Sequence, residues 1–286
     1  MDKFREKVAL RGTADCPFQQ YLIIRNSKTS FITSAHWHPE FEIIYMLEGK
    51  IELKSNKQTY TLFPGEIAFI SPGRLHSIIG LEEKTRYHAF VFSLDLISLP
   101  QSHFFQKQVI EPIKMGSHQF PPVLHTNALC YYAVSNALDR ILQCSKDAPN
   151  RKQIVFSSII SVFVSMMDHM ENCTGVMHRK NSEPVKNALQ YMTDHFSEHL
   201  TLDDIANHVH LHPNYLCSLF KDYTGQTVFQ HLNRIRIEHA AELLKGNTRS
   251  VTETASQCGF ENTVFFSKKF KELMGISPKE YSLKHR

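Results

Sequence analysis

The sequence has no C-x-x-C pair, no apolar leader, no apolar run of membrane-spanning length and little net charge. Its six cysteines, at 16, 130, 144, 173, 217 and 258, stand singly across 286 residues. In a chain of this length that pattern fits reduced thiols, not a disulfide framework. The opening MDKFREKVALRGTADCPF lacks the apolar core of a secretory signal. The longest apolar run, IVFSSIISVFVSMM at 154–167, is too short to cross a bilayer and is broken by serines. A cytoplasmic protein with no membrane partner is expected. The net charge of +4 points to no partner by itself, and 42% hydrophobic with 21% charged residues describes an ordinary globular chain. The length is enough for two domains, each with its own core.

What is present falls into two halves of different periodicity. Residues 21–95 alternate as YLIIR, FEIIYML, KIELK, EIAFI and YHAFVFSLD, separated by turn signals at Glu48-Gly49, Pro64-Gly65 and Pro72-Gly73. Short strands at this spacing predict a small β-barrel or sandwich. From about residue 127 the apolar spacing becomes helical, in NALCYYAVSNALDRILQ and RKQIVFSSIISVFVSMMDHM. The second of these is apolar on nearly every side and is expected to pack between the β-unit and another surface, its own core or a second copy. NCTGVMHRKNSE, 172–183, is polar, carries a glycine and reads as a linker.

The last third contains an internal repeat. TLDDIANHVHLHPNYLCSLFKDYTG at 201–225 aligns with SVTETASQCGFENTVFFSKKFKELMG at 250–275, with one extra residue in the second turn. Each copy opens on a capping box, Thr201 with Asp204 and Ser250 with Glu253. Each then gives a short helix, a tight turn and a second helix ending at glycine, which is the outline of a helix-turn-helix. On the second helix of the first copy Leu216, Leu219, Phe220 and Tyr223 form the inward stripe. Asn214, Cys217, Ser218 and Lys221 fall on the opposite face; the corresponding set in the second copy is Val264, Ser267, Lys268 and Lys271. Small, amide and basic side chains suit base edges and phosphates in a major groove, and Val264 suits a thymine methyl. One such face would read as a solvated surface; two at fixed separation favour double-stranded DNA.

Between the copies TVFQHLNRIRIEHAAELLKG, 227–246, predicts a single long helix that sets two probes roughly one DNA turn apart. Residues 183–286 hold twelve basic and twelve acidic residues, so affinity would rest on local clusters, SKKFK at 267–271 and RIR at 234–236.

These residues resemble the DNA-binding domain of the AraC/XylS family of bacterial transcription regulators. The closing GISPKEY supports this, with Ser277 as N-cap, Pro278 at N1 and Glu280 at N3. The chain departs from the pattern twice. His210 stands where a turn glycine is usual, and Thr254 replaces a large aliphatic core residue.

HWHPEFEIIYMLEG at 36–49 places His36, His38, Glu40 and Glu42 at one strand parity, with Trp37, Pro39 and Phe41 at the other. Its spacing resembles the first cupin motif, and GEIAFISPGRLH at 65–76 resembles a weaker second one. The region is similar to the cupin-like effector domain that precedes many AraC-type DNA-binding domains. In metal-binding cupins the matching set is His36, His38, Glu42 and His76, a donor set that suits Zn, Fe, Mn or Ni. In effector-binding relatives the same four residues would hydrogen-bond a small organic molecule, often a sugar. A purely structural polar network is the third reading.

The resulting expectation is an α+β chain: a cupin-like barrel with an N-terminal arm over 1–125, helices packing on it over 126–171, a linker over 172–183 and an all-α domain with two helix-turn-helix motifs over 184–286. It is expected to be a regulator and not an enzyme, without cofactor, with DNA, a small effector, RNA polymerase and a second copy of itself as partners. Two alternatives stay open: a metal-binding cupin, enzyme or sensor, fused to a DNA-binding domain, and a barrel that serves only dimerisation.

Overall fold

The computed structural model describes residues 15–25, 32–173, 175–245 and 250–284, with the side chains of 175–181 excepted. The chain divides into two compact units, Glu6–Ser182 and Glu183–Arg286.

The first unit is built on two antiparallel sheets. One has five strands in the order β1 (Phe18–Arg25), β8 (Thr85–Phe92), β3 (Phe41–Glu48), β6 (Ile67–Ile70) and β10 (Val123–Leu124). The other has four, β2 (Thr33–His36), β7 (His76–Gly80), β4 (Ile51–Ser55) and β5 (Gln58–Leu62). Strand alternation sends side chains to both faces of the larger sheet, and both faces are buried. Ile44 and Met46 of β3 join Leu53, Leu62, Ile70, Ile78 and Tyr87 in the layer between the sheets. Phe41 and Ile43 of the same strand join Phe92, Phe120 and Phe163 on the outer face. Helices α1 (Glu111–Met115), α2 (Tyr131–Gln143) and α3 (Arg151–Met166) cover that outer face, with Val134, Leu138, Ile141, Ile159 and Val162 in the same cluster. This explains why FEIIYML reads as a nearly continuous apolar run. The layer between the sheets is filled by side chains, as small barrels require.

Two short strands complete the unit. β9 (His118–Gln119) pairs with β11 (Glu171–Asn172), Gln119 opposite Glu171. The stretch 172–183, expected as an irregular linker, is thus largely regular structure at the boundary of the two units. It begins in β11 and continues from Gly175 as helix α4 (Gly175–Asp194). Polarity and one glycine suggested a linker, but nothing within 175–183 forbids a helix, and Pro184 lies inside α4.

The second unit is helical. α5 (Leu202–His208) and α6 (Pro213–Thr224) form the first motif, α8 (Val251–Gln257) and α9 (Thr263–Met274) the second. α7 (Val228–Lys245) joins them and α10 (Pro278–Lys284) follows. Both capping boxes are formed, Thr201 with Asp204 and Ser250 with Glu253. Ser277 and Glu280 cap α10 reciprocally. α6 and α9 end at Gly225 and Gly275, both left-handed. α7 is the shared core element: Leu232 and Ile235 are buried along it, and Ile237, Ala240, Ala241 and Leu244 pack with Phe260, Phe266 and Phe270 of the second motif. Its eighteen residues give a rod of about 27 Å.

The turns of the two motifs are built alike. In the first, His210 N–H donates to Asn207 O and Leu211 N–H to Ala206 O; in the second, Gly259 N–H donates to Ser256 O and Phe260 N–H to Ala255 O. Both turn residues are left-handed, His210 at φ 55° and Gly259 at φ 77°.

Candidate functional sites

The first site is the convergence of His36, His38, Glu42 and His76. HWHPEFE does not form one continuous strand. β2 stops at His36, β3 starts at Phe41, and His38 sits on the connecting loop beside Pro39, which has no N–H to give a ladder. The break separates Glu40 from the other three: its carboxylate approaches the outer nitrogen of His38 at 3.4 Å and is not part of the cluster. His76 opens β7 directly opposite His36 in the ladder. The Gly73 N–H donates to His38 O at 2.8 Å, closing the second loop onto the first.

One ligating atom from each of the four residues lies within 4.8 Å of all the others. His36 Nδ1–H donates to Ser34 O at 2.9 Å and His76 Nδ1–H to Arg74 O at 2.8 Å. Carbonyl oxygens only accept, so these bonds fix the tautomer and turn both Nε2 lone pairs inward. Burial, with His76 and His38 alongside, holds the His36 imidazole well below its usual range and therefore neutral. Burial alone would raise the Glu42 carboxyl, but the hydrogen bond with His38 and the close approach of the His76 imidazole outweigh it and hold it well below the usual carboxylate range. His38 Nε2 meets Glu42 Oε2 at 3.0 Å. His76 Nε2 approaches the same oxygen at 3.2 Å, but out of line for a hydrogen bond, and is left buried without a hydrogen-bond partner. An ionised carboxylate facing an orphaned imidazole lone pair is what a divalent cation would relieve, so the donor set fits a metal.

The second site is the outward face of α6 and α9. Asn214, Cys217, Ser218 and Lys221 are exposed on α6; Val264, Lys268 and Lys271 are exposed on α9 and Ser267 is half-buried. Val264 is 79% exposed, a large aliphatic side chain at the first turn of α9 with nothing covering it. Exposed aromatics flank these positions, Tyr215 on α6 and Phe265 on α9, and the sequence reading passed over both.

The basic RIR run does not belong to this face. Arg234 is buried and pairs with Glu238 at 2.9 Å. Arg236 donates to Phe196 O at 2.7 Å and Glu198 O at 2.8 Å, fastening the α4–α5 connection onto α7. Within SKKFK, Lys269 pairs with Glu272 at 2.7 Å along the helix, while Lys268 and Lys271 point outward. A third feature had no signal in the sequence: Arg74, Gln119 and Cys173 meet around a small cavity although they are far apart in the chain.

Among the described residues no helix is long and apolar enough to cross a membrane. Residues 18–114 match the family described as an AraC-like ligand binding domain, and residues 205–284 match a helix-turn-helix domain family. The chain is 26% identical to the HTH-type transcriptional regulator YisR of Bacillus subtilis, over 84% of this chain and 85% of that one. It is 23% identical to the HTH-type transcriptional activator RhaS of Pectobacterium atrosepticum, over 92% and 90%. A crystal structure of ToxT from Vibrio cholerae aligns over 93% of this chain and 98% of its own at 15% identity, with a TM-score of 0.45. With a ligand-binding family matched in the β-rich unit and a helix-turn-helix family in the helical one, the chain belongs to the AraC-type DNA-binding transcription regulators.

Proposed function

We propose that the regulator reads double-stranded DNA with the outward faces of α6 and α9, and that the buried site of the first unit governs this reading by binding a divalent metal ion. The observation that carries the DNA face is the pair of equivalent helices, each turning small, amide or basic side chains outward while its apolar stripe is spent on the core. Lys268 and Lys271 serve phosphates; Asn214, Ser218 and Val264 serve base edges. In a mobility-shift assay with promoter fragments, Lys268→Ala weakens binding a few-fold on every sequence, while Ser218→Ala and Asn214→Ala change sequence preference. Unchanged footprints for all three would refute the assignment.

A sugar at His36, His38, Glu42 and His76, the effector class suggested by resemblance, is the weaker reading. Donor atoms within 4.8 Å of one another leave no volume for a pyranose, and the layer between the sheets is filled by apolar side chains. The orphaned His76 Nε2 favours the metal. The ion, when bound, supplies positive charge that locks β2, β3 and β7 together at one end of the barrel. Metal analysis of the purified protein tests this directly, with a stoichiometric divalent ion expected and its loss in His76→Ala. Pairing into a homodimer is part of the same proposal, supported by the exposure of Leu129, Tyr132, Phe156 and Val164 on and beside α2 and α3. A monomer in sedimentation, with and without DNA, would remove that part. Contact with RNA polymerase completes the proposal and is tested by transcription in a purified system.

A further inference from the structure

We propose that Arg74 anchors a second ligand site, one that takes the carboxylate of a small acidic molecule. This rests on the reading of the first unit as the sensing half of the regulator. A cavity of about 30 Å³ is lined by Asn56, Ser71, Gly73, Arg74, Gln119 and Cys173. It adjoins the four-residue cluster through shared backbone, since Gly73 N–H bonds His38 O and Arg74 O accepts from His76.

Size and charge select the ligand. At roughly 10–15 Å³ for each water-sized group, the cavity holds two or three such groups, which matches the two oxygens of a carboxylate and does not take in a whole sugar ring. Arg74 is half-buried, and both of its hydrogen bonds leave from Nη2, to the side-chain oxygen of Gln119 and to Cys173 Sγ at 3.2 Å. No carboxylate pairs with it among the described residues. A guanidinium carries five N–H donors, so three of them have no protein acceptor. A partly desolvated guanidinium without a counter-anion is costly, and its planar fork fits a carboxylate edge. Beside His118 the lining holds no lysine and no second arginine, so Arg74 is its one permanent positive charge, which matches a carboxylate better than the two charges of a phosphate.

The same contacts give the site an outlet. Gln119 lies opposite Glu171 in the β9–β11 pair, and Cys173 N–H donates to Ser117 O at 2.7 Å, directly before α4 begins. An anion on the free edge of the guanidinium draws on the side chain that also holds Gln119 and Cys173 and so alters how the segment entering α4 is held.

The test is calorimetric titration of the full chain with propionate, inorganic phosphate and glucose, alongside thermal unfolding. Propionate binds in the millimolar range and raises the unfolding temperature, as a fragment-sized ligand with one charged anchor should. Arg74→Ala and Arg74→Gln each weaken propionate at least about tenfold, and Arg74→Lys falls between, because charge without the fork retains part of the attraction. Two variants guard against one that fails to fold. No heat or stabilisation with propionate at tens of millimolar, wild-type affinity retained in both neutral variants, or phosphate binding as tightly as propionate would each overturn the site. DNA mobility shifts on the same samples separate this outcome from the regulator reading: lost propionate binding with intact DNA binding sinks the site alone.

Discussion

His210 and Gly259 occupy equivalent turns with the same hydrogen bonds, yet only one is glycine, and exchanging their character tests the energetics of the whole motif. An L-residue in the left-handed region costs roughly 1–2 kcal/mol. Replacing His210 by glycine relieves that strain, offset by roughly 0.4–1 kcal/mol of extra unfolded-state entropy. His210→Gly therefore stabilises the helical unit by about 0.5–1 kcal/mol. For a domain of this size that is a rise of roughly 2–8 °C in the unfolding midpoint. Gly259→Ala is predicted to do the opposite and more strongly. A Cβ there falls 2.8 Å from Phe196 O and 2.9 Å from Ser197 O, backbone atoms that Arg236 holds in place. Left-handed strain and this collision together cost at least about 2 kcal/mol. The assay is urea unfolding of the full chain. Far-UV circular dichroism follows the helices, while Trp37, the single tryptophan, reports only on the first unit. A lowered helical midpoint for His210→Gly, a neutral Gly259→Ala, or a matching shift in the Trp37 transition would refute the reasoning.

Three further outcomes follow from buried polar groups. Thr254 is fully buried and its hydroxyl has no partner, so Thr254→Val, nearly isosteric, raises stability by about 1 kcal/mol in the same denaturation assay. His231 is pushed down to about 3 by burial, with Arg234 adding to it, whereas the unfolded imidazole titrates near its ordinary value. The unfolded state thus binds the extra proton, so stability is full above about pH 6.5 and falls by up to roughly 1.4 kcal/mol per pH unit as acid is added; His231→Leu flattens that slope. Cobalt substitution at the four-residue site gives visible d–d absorption in the wild type that is absent in His76→Ala, and a spectrum insensitive to His76 would remove that residue from the ligand set.

Much of the helical unit was legible because its signals are local. Capping boxes, terminal glycines and a stripe at helical spacing are decided within one or two turns, and the repeat doubled each of them. The departures at His210 and Thr254 were legible as residues out of place, while their energetic character, a left-handed backbone and an orphaned hydroxyl, required coordinates. The β-rich unit was less legible. Three short strands, TSAH, QTYTL and HSIIG, carry too little alternation to stand out, and the parity rule placed Glu40 with His36 and Glu42 by assuming a strand where Pro39 breaks it. Arg236 shows the limit of counting charges: its side chain serves two backbone carbonyls, a use with no compositional trace. Arg74, Gln119 and Cys173 meet only through tertiary pairing, so no window of sequence contains them together.

Both helix-turn-helix motifs pack on a single helix, α7. Their separation and angular phase are then constants of the molecule, not variables that an effector can tune. On the proposed DNA reading, control would act by admitting or withholding the two-pronged unit as a whole, and operators would differ in which bases fill the two grooves, not in the interval between them.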